Sequence, residues 1–383
     1  MSFHNVSRVL LTAVFLAAPV GIAQAGERGL IGPGQCGPDT TVAPPRSPDA
    51  WHKVERNVLD SRRAWGRRFK PRAVFQIPGG VGVLYNSVPP EGFQAPEGFA
   101  SGQTGSLAFS RNLLDWHDYP GNPVMHQLAD WQGTRRAMPR AMLYDEKNEQ
   151  WVVYFVDHTG KYPGIRAAGT AYSTDLVNWR PSTAPTITVD DYLRAVPEPR
   201  HVEATVEQLR REGCIYPSWA VYHDGRYYVQ ISILGRRRRP ITDAQRAVEL
   251  LVADEPGGPF EYVECRGDFI PRQRPVYSGG RWYTVFAGNV VDGEFIVQDG
   301  LDIPDSQPGF GLAWSDNLLG PYETNPHNPI ITTNSATRTR PQLFRYNGTW
   351  AILFGEGPAP GPMRLAVAHI HPSLLGVGGE NGQ

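Results

Sequence analysis

The sequence has few cysteines, almost no net charge and, beyond its N-terminus, no long hydrophobic run. Three cysteines among 383 residues and a formal charge of -1 give no reason to expect a zinc-binding cysteine cluster or a nucleic-acid surface. It also lacks a glycine-rich phosphate loop, a nucleophile-elbow serine, a His-Glu-x-x-His pair and a calcium-loop motif. We therefore predict no cofactor, name no metal ligands, and expect neither a nucleic-acid partner nor a membrane-bound mature protein.

The N-terminus is typical of a secretory signal peptide. Arg8 precedes an apolar run over residues 9–22, and Ala23-Gln24-Ala25 matches an A-x-A cleavage site. The run is too short to span a bilayer, which disfavours a membrane anchor. We therefore expect a signal peptide over residues 1–25 and a secreted or periplasmic location.

The three cysteines are Cys36, Cys214 and Cys265. In an oxidising compartment one disulfide can form and leave one thiol over. Cys214 and Cys265 each precede the opening strand of a repeat described below, so they could face each other across neighbouring repeats. The alternative is a plain buried thiol at each position.

Glycine, proline and aromatic residues are plentiful, with 41 Gly, 35 Pro and 11% aromatics, which favours many short strands joined by tight turns. One pattern recurs five times, and each copy has a proline, an apolar strand, a polar turn and a second, aromatic strand. The five opening stretches are KPRAVF, MPRAML, YPSWAVY, RPVY and RPQLF, with prolines at Pro71, Pro139, Pro217, Pro275 and Pro341. A repeat of this length is typical of stacked or radial architectures.

A third and a fourth strand follow in each repeat, most clearly in SLAFSRNLLDWHDYPGNPVM, GTAYSTDLVNWRPSTAPTI and GLAWSDNLLGPYETNPHNPII. Four strands repeated five times predict an all-β fold, a five-bladed β-propeller of four-stranded antiparallel blades over residues 61–375. Residues 26–60 are then an N-terminal extension. The alternative is a β-sandwich with coincidental repetition. One amphipathic stretch, EPRHVEATVEQLRREG, predicts a helix inserted before the third blade.

These repeats resemble the five-bladed propeller glycoside hydrolases, the arabinofuranosidase, xylosidase and fructosidase-like superfamily. AFSRNLLDWHDYPGNPV and AWSDNLLGPYETNPHNPI are similar to its blade signature, A-x-S-x-D-L-x-x-W followed by Asn-Pro. The likeness extends over roughly residues 60–370 and implies the propeller fold. It also implies cleavage of glycosidic bonds by paired carboxylates, which in that superfamily often stand directly before the prolines of the inner strands.

The pre-proline positions of this chain carry no acid. They hold Lys70, Met138, Tyr216, Arg274 and Arg340, so the carboxylates implied by the resemblance have no counterpart there. Arg72 and Arg140 stand one residue after their prolines. Arg272 and Arg338 lie two residues before Arg274 and Arg340, and strand alternation would turn them to the same side.

Guanidinium groups bind carboxylate, sulfate and phosphate through paired hydrogen bonds. Arginines at repeated positions therefore predict an axial site for an anionic ligand, gripped by Arg72, Arg140, Arg274 and Arg340. The alternative places these arginines on outer edges of the blades, paired with surface acids. Arg236 to Arg239 would add charge to the same rim, or form a solvated loop.

Acids could reach this face from neighbouring turns. The candidate catalytic residues are Asp157, His158, Asp130 and Glu356, since a carboxylate or an imidazole can transfer the proton that bond cleavage needs. Asp157 could instead close an Asx turn beside a solvent-facing His158. Asp292 and Glu294 occupy the corresponding turn of the fourth repeat. Tyr216, Trp219 and Trp131 offer flat faces for a sugar ring, or are core residues.

Three functions remain open from the sequence. The first is a secreted, glycosidase-like enzyme that cleaves an anionic, uronate- or sulfate-bearing oligo- or polysaccharide. A lyase that cuts a uronate glycan by β-elimination is a variant of it. The second is a propeller that binds a glycan or anion without catalysis, and the missing acids favour it. The third, a structural or protein-interaction propeller, predicts a large exposed patch.

Overall fold

The structure is a computed structural model, and it describes most of the repeat region. The described residues are 43–54, 70–77, 79–88, 104–125, 131, 137–156, 167–196, 207, 210, 214–234, 246–267, 269, 271–297, 306–333, 337–346, 349–357 and 364–370. The predicted signal peptide and most of the helix expected before the third blade lie outside these residues.

Five antiparallel sheets, each built on a four-stranded path, form a five-bladed propeller, as the repeats predicted. The strands of blades one and two are β2 (Lys70–Ile77), β3 (Gly80–Ser87), β4 (Thr104–Ser110), β5 (Trp116–Asp118), β6 (Met138–Asp145), β7 (Gln150–Val156), β8 (Ala168–Ser173) and β9 (Arg180–Pro181). Blade three contains β10 (Cys214–His223), β11 (Arg226–Leu234), β12 (Arg246–Ala253) and β13 (Glu261–Val263). The β-sandwich alternative is therefore wrong.

Blade four departs most from the common pattern. Its path is β14 (Val276–Ser278), β15 (Arg281–Val291), β17 (Gln307–Ser315) and β18 (Glu323–Thr324), with β16 (Glu294–Val297) and β19 (Ile331–Thr332) pairing alongside. The first strand, β14, has only three residues, whereas the first strands of the other blades have eight to ten. The strand β14 pairs only with the first residues of β15, and β16 pairs with the C-terminal part of β15.

Blade five is closed by both ends of the domain. It is built from β20 (Thr337–Tyr346), β21 (Thr349–Gly357) and β22 (Arg364–Ile370), and its outer strand is β1 (Trp51–Lys53). Trp51 pairs with Ile370 and Lys53 with Ala368. A short 3₁₀ helix, Pro48–Ala50, leads into β1. The segment predicted as an N-terminal extension thus contributes a strand to the propeller.

The blade signature forms a turn that local hydrogen bonds hold together. In blade one the Asn112 side chain accepts hydrogen bonds from the backbone N–H groups of Leu114 and Asp115, and the Trp116 indole donates to the Leu113 carbonyl at 2.8 Å. Blade two repeats this turn with Asp175 and Trp179. Such Asx turns explain why the signature recurs without any role in catalysis.

The core lies between neighbouring blades. One cluster of buried apolar side chains fills each of the five interfaces, for example Phe75, Leu107 and Trp151 between blades one and two. The inner strands contact one another between blades one and two, two and three, four and five, and five and one, so they form the innermost ring around the axis, with β15 in that position for blade four.

A short α-helix, α1 (Val189–Ala195), lies outside the blades and begins with a capping box between Thr188 and Asp191. No helix in the described part of the chain is long and apolar enough to span a membrane. Cys265 is half-buried, and the side chain of Cys214 lies outside the described part of the chain. The pairing of Cys214 with Cys265 and the alternative of a plain thiol both stay predictions.

Candidate functional site

β-Bulges at the start of the inner strands create the candidate site. In blades one, two and three the residue after the proline has no partner on the second strand, and these residues are Arg72, Arg140 and Ser218. In blade five the bulge contains Arg340 and Pro341. A bulge bends its strand and redirects a side chain, and bulges are common beside active sites.

The aligned prolines are therefore not structurally equivalent. The arginine in the bulge follows the proline in blades one and two but precedes it in blade five. The residues directly before Pro71 and Pro139, Lys70 and Met138, pair within the ladder instead. Aligning the repeats by their prolines therefore placed the arginines of the bulges at different offsets, and their predicted binding role stays a prediction.

Arg72, Arg140 and Arg340 come together at the axis. Arg72 is only 5% exposed, and its Nε and Nη1 have no hydrogen-bond partner among the described residues. Burial, and after it the charges of Arg340 and Arg140, hold the pKa of the Arg72 guanidinium well below its usual value. We call these three residues the arginine cluster. Since three blades converge on it, the alternative of outer-edge arginines is wrong for this cluster.

Arg340 has a strained backbone. Its φ is 53°, in the left-handed region that a residue with a Cβ avoids. Strain of this kind persists where the surrounding structure imposes it, and it is often found at binding and catalytic sites. The bulge and the positive φ together set the direction in which the Arg340 side chain leaves the strand.

Arg140 stacks on an aromatic ring of the next blade. Its guanidinium carbon lies 4.6 Å from the centroid of the Tyr216 ring, and both side chains are buried. This cation–π contact fixes the plane of the guanidinium. Tyr216, predicted to bind substrate, thus lies beside the arginine cluster and supports it.

Arg274 lies in a segment that crosses the channel, which the sequence did not predict. Its Nη2 donates to the Val74 carbonyl of blade one at 3.4 Å, although Arg274 belongs to blade four. These blades are not neighbours, so the Arg274 side chain spans the axis. Residues 271–275 are not part of a strand, and the alternation argument that paired Arg272 with Arg274 was wrong.

Two buried glutamines at the axis were missed by the sequence analysis. Gln342 Nε2 donates to Gln273 Oε1 at 3.5 Å and to the Pro341 carbonyl at 3.2 Å. Gln342 directly follows Pro341 and is the first residue after the bulge to pair with the second strand. Ala73 and Ala141 occupy this position in blades one and two. A polar residue at a position that is otherwise apolar was the available signal.

Glu356 is buried and forms an ion pair with the partly exposed Lys53. Lys53 Nζ lies 3.1 Å from Glu356 Oε2, and Glu356 stands opposite Arg338 on β20 and Arg364 on β22. The pair connects two strands of blade five that are not adjacent in the sheet. This geometry gives Glu356 a structural role, and its predicted catalytic role stays a prediction.

The two predicted tryptophan platforms have interior contacts. The Trp219 indole donates to the Pro271 carbonyl at 2.8 Å and is buried. Trp131 stacks on Phe155, with 5.7 Å between the ring centroids and 18° between the ring planes. The Trp131 indole also donates a hydrogen bond to the Ser182 carbonyl at 3.1 Å. These contacts are those of core residues.

Several predicted residues lie outside the described part of the chain, namely Asp130, Asp157, His158 and Arg236 to Arg239. Asp292 occupies the turn of the β15–β16 hairpin beside Glu294, and both are exposed. Among the described residues, no group of three or more His, Cys, Asp or Glu could hold a metal ion.

Comparison with known proteins identifies the fold. No family model and no curated protein matches the sequence. Among solved structures, the catalytic domain of a GH62 α-L-arabinofuranosidase from Coprinopsis cinerea aligns with a TM-score of 0.51 and 12% identity, covering 85% of this chain and 98% of its own. An α-L-arabinofuranosidase from Podospora anserina in complex with cellotriose gives 0.52 and 11%, covering 85% and 99%.

A third similar structure is a complex of BT0996 with RGII, with a TM-score of 0.53, 13% identity, and coverage of 86% of this protein and 94% of the other. The resemblance seen in the sequence is therefore confirmed for the fold, which this protein shares with five-bladed propeller glycoside hydrolases. At such low identity, activity does not follow from the fold.

Proposed function

We propose that this protein acts on an anionic glycan bound at the arginine cluster and cleaves a glycosidic bond in it. The class of fold supports the carbohydrate part of this proposal. The three arginines support the anionic part, because a uronate carboxylate or a sulfate group would offset their charges.

The observation that carries the proposal is the environment of Arg72. A buried polar group without a hydrogen bond costs about 1–3 kcal/mol, and more when it is charged. Arg72 has two such nitrogen atoms, and the positive charges of Arg340 and Arg140 act on its guanidinium as well. An arrangement so unfavourable in the free protein is expected where a ligand supplies the missing negative charge.

The chemistry assigned to the site has two parts. Arg72, Arg140 and Arg340 bind the charged group and fix the sugar ring next to the mouth of the channel. Proton transfer to the leaving oxygen and activation of water then require an acid and a base, for which Asp157, His158, Asp130 and Glu356 are the candidates. Secretion through the N-terminal signal peptide would bring the enzyme to extracellular or periplasmic polysaccharide.

Binding and turnover should be measured separately on uronate-containing, sulfated and neutral oligosaccharides. We expect charged oligosaccharides to raise the melting temperature more than neutral ones, and the rise to shrink in high salt. Arg72→Gln should abolish this rise, whereas Arg281→Gln, which removes an exposed arginine paired with Asp316, should not. Equal stabilisation by neutral oligosaccharides, or an unchanged response of Arg72→Gln, would contradict the proposal.

Turnover distinguishes the reaction types. Hydrolysis creates new reducing ends without a change in ultraviolet absorption, whereas β-elimination of a uronate glycan creates an unsaturated product that absorbs. Substitution of Asp157 by Ala should abolish either activity if this residue transfers the proton.

A second candidate is a propeller that binds an anionic glycan without cleaving it. It is favoured by Glu356, because the one described catalytic candidate is engaged with Lys53. Charge-dependent stabilisation without any product from any oligosaccharide would identify this second function.

A further inference from the structure

A segment of blade four crosses the axis next to the arginine cluster. We call residues 271–275 the crossing segment. The Pro271 carbonyl accepts hydrogen bonds from Trp219 and Gln230 of blade three, and the Gln273 carbonyl accepts one from Thr284 of blade four at 3.1 Å. These bonds anchor the segment from two blades.

The other contacts of the crossing segment reach the far side of the axis. Gln273 meets Gln342 of blade five, and Arg274 donates to the Val74 carbonyl of blade one. Four of the five blades therefore hold this segment. Val74 lies two residues further along β2 than Arg72, which places the Arg274 side chain across the channel below Arg72.

Gln273 and Gln342 supply polar groups at this level. Both residues are buried. Gln273 is 7% exposed and Gln342 is 5% exposed, fractions similar to those of Arg72 and Arg274. A pair of primary amides offers both N–H donors and carbonyl acceptors, whereas the arginines offer donors only. The amide pair therefore suits hydroxyl groups, which both donate and accept.

We propose that Gln273 and Gln342 form the floor of a closed axial pocket and bind hydroxyl groups of the same sugar ring whose charged group the arginine cluster binds. This inference deepens the function proposed above and rests on it. It specifies the ligand as an acidic sugar residue that enters the pocket, as opposed to a free inorganic anion or a neutral sugar.

The structure of the pocket gives the reason for this specificity. An inorganic anion satisfies the arginines and leaves the amides to each other and to water. A neutral sugar could satisfy the amides, but it would bring no negative charge to the buried Arg72 guanidinium, two nitrogen atoms of which have no hydrogen-bond partner among the described residues. Only a ring that carries both a charge and hydroxyl groups would satisfy both levels.

The test compares three probes, inorganic sulfate, D-glucuronate and D-glucose, by titration calorimetry or by the shift in melting temperature. D-Galacturonate serves as a second uronate with a different hydroxyl arrangement. We expect a uronate to bind at least tenfold more tightly than glucose. Gln342→Leu should weaken uronate binding about five- to tenfold and leave sulfate binding within about twofold, as expected for one lost uncharged hydrogen bond.

Gln76→Leu is the matched control. Gln76 also lies on an inner strand and donates from its amide to a backbone carbonyl of another blade, that of Arg345, but at the far end of the strand. This variant should change none of the three affinities. If Gln342→Leu does not fold, Gln273→Leu removes the other member of the pair and makes the same comparison.

The outcomes separate this inference from the proposed function. Unchanged uronate binding in Gln342→Leu would contradict the proposal that the glutamines bind the sugar, but not the proposal that the arginine cluster binds an anion. Loss of sulfate and uronate binding together, with Gln76→Leu unaffected, would also contradict the proposal for the glutamines, since the amide would then merely support the arginines. If neither sulfate nor a uronate binds the wild-type protein, the anionic site itself fails.

Discussion

Arg140 of blade two lies over the ring of Tyr216 of blade three, 4.6 Å from its centroid. Two positions that the repeat alignment treated as separate, one after a proline and one before a proline, thus act as a pair. The stack helps to orient the Arg140 guanidinium beside the like-charged Arg72. The tyrosine is therefore part of the arginine cluster's support.

Replacing Tyr216 tests that support. Tyr216→Leu should weaken binding of charged oligosaccharides about five- to thirtyfold, because a desolvated cation–π contact contributes on the order of 1–2 kcal/mol. Tyr216→Phe keeps the ring and should bind nearly as well as the wild type. The affinities of both variants can be measured by calorimetry. If Tyr216→Phe loses as much affinity as Tyr216→Leu, the hydroxyl group and not the ring supports binding.

Relief of the strain at Arg340 should separate stability from binding. Arg340→Gly removes the Cβ at φ 53° and one of three clustered cations, so we expect the free energy of unfolding to rise by about 1 kcal/mol. Affinity for an anionic ligand should fall at the same time. Urea unfolding and calorimetry measure the two effects.

Glu149→Gly is the control for this experiment. Glu149 has a φ of 50° in a hairpin turn of blade two, away from the arginine cluster. Its replacement should relieve similar strain and leave ligand affinity unchanged. A stabilised Arg340→Gly protein with full affinity would exclude Arg340 from the binding site.

The signature turn of blade two, which Asp175 closes, makes the free energy of unfolding depend on pH. Burial raises the pKa of Asp175, but hydrogen bonds from Asn178, Val177 and Ser173 outweigh it and leave the pKa below its usual value. Because the folded pKa is the lower one, this carboxylate stabilises the fold above about pH 4. The contribution disappears as the pH falls through the folded pKa.

Asp175→Asn should flatten that acid-side dependence and cost less than about 1 kcal/mol at neutral pH, since Asn112 and Asn317 close the equivalent turns of blades one and four. Asp175→Ala should cost about 1–2 kcal/mol, because it leaves the turn without its acceptor. Unfolding curves between pH 3 and 7 would test both, and an unaltered acid limb in Asp175→Asn would contradict the assignment.

The Lys53–Glu356 ion pair should behave as a structural unit. Lys53→Met removes an ionic partner of the buried Glu356 and should destabilise the fold by about 3 kcal/mol. The double variant Lys53→Met/Glu356→Gln should recover much of this loss. If the double variant retains full turnover, Glu356 is not catalytic. If the double variant is inactive while Lys53→Met remains active, Glu356 has the catalytic role.

The sequence predicted the fold well because the information is local. The Ser, Asx and Trp of each blade signature bond to one another within a few residues, as Ser173, Asp175 and Trp179 do. Repetition of such a turn identifies a blade wherever it occurs. The arginines of the bulges could be singled out for the same reason, since each follows or precedes a proline in a repeated stretch, and their role in binding stays a prediction.

Contacts between distant parts of the sequence were not predictable in this way. The bond from Arg274 to Val74 joins residues 200 positions apart, and its formation depends on β14 being short. The partner of Glu356 lies in a three-residue strand, Trp51–Lys53, whose sequence has no alternating pattern long enough to identify it. Proximity around the axis, which no single repeat encodes, brings these groups together.

The pairing of β1 with β22 sets the order in which the ring can be completed. Residues 51–53 leave the ribosome long before residues 364–370 exist, so their backbone groups must wait for a partner through the synthesis of all five sheets. Closure is therefore the last step of assembly. Once β22 has formed and until β1 pairs with it, the exposed edge of the fifth sheet can accept a strand from another molecule, and rapid capture of β1 protects the new protein from such mispairing.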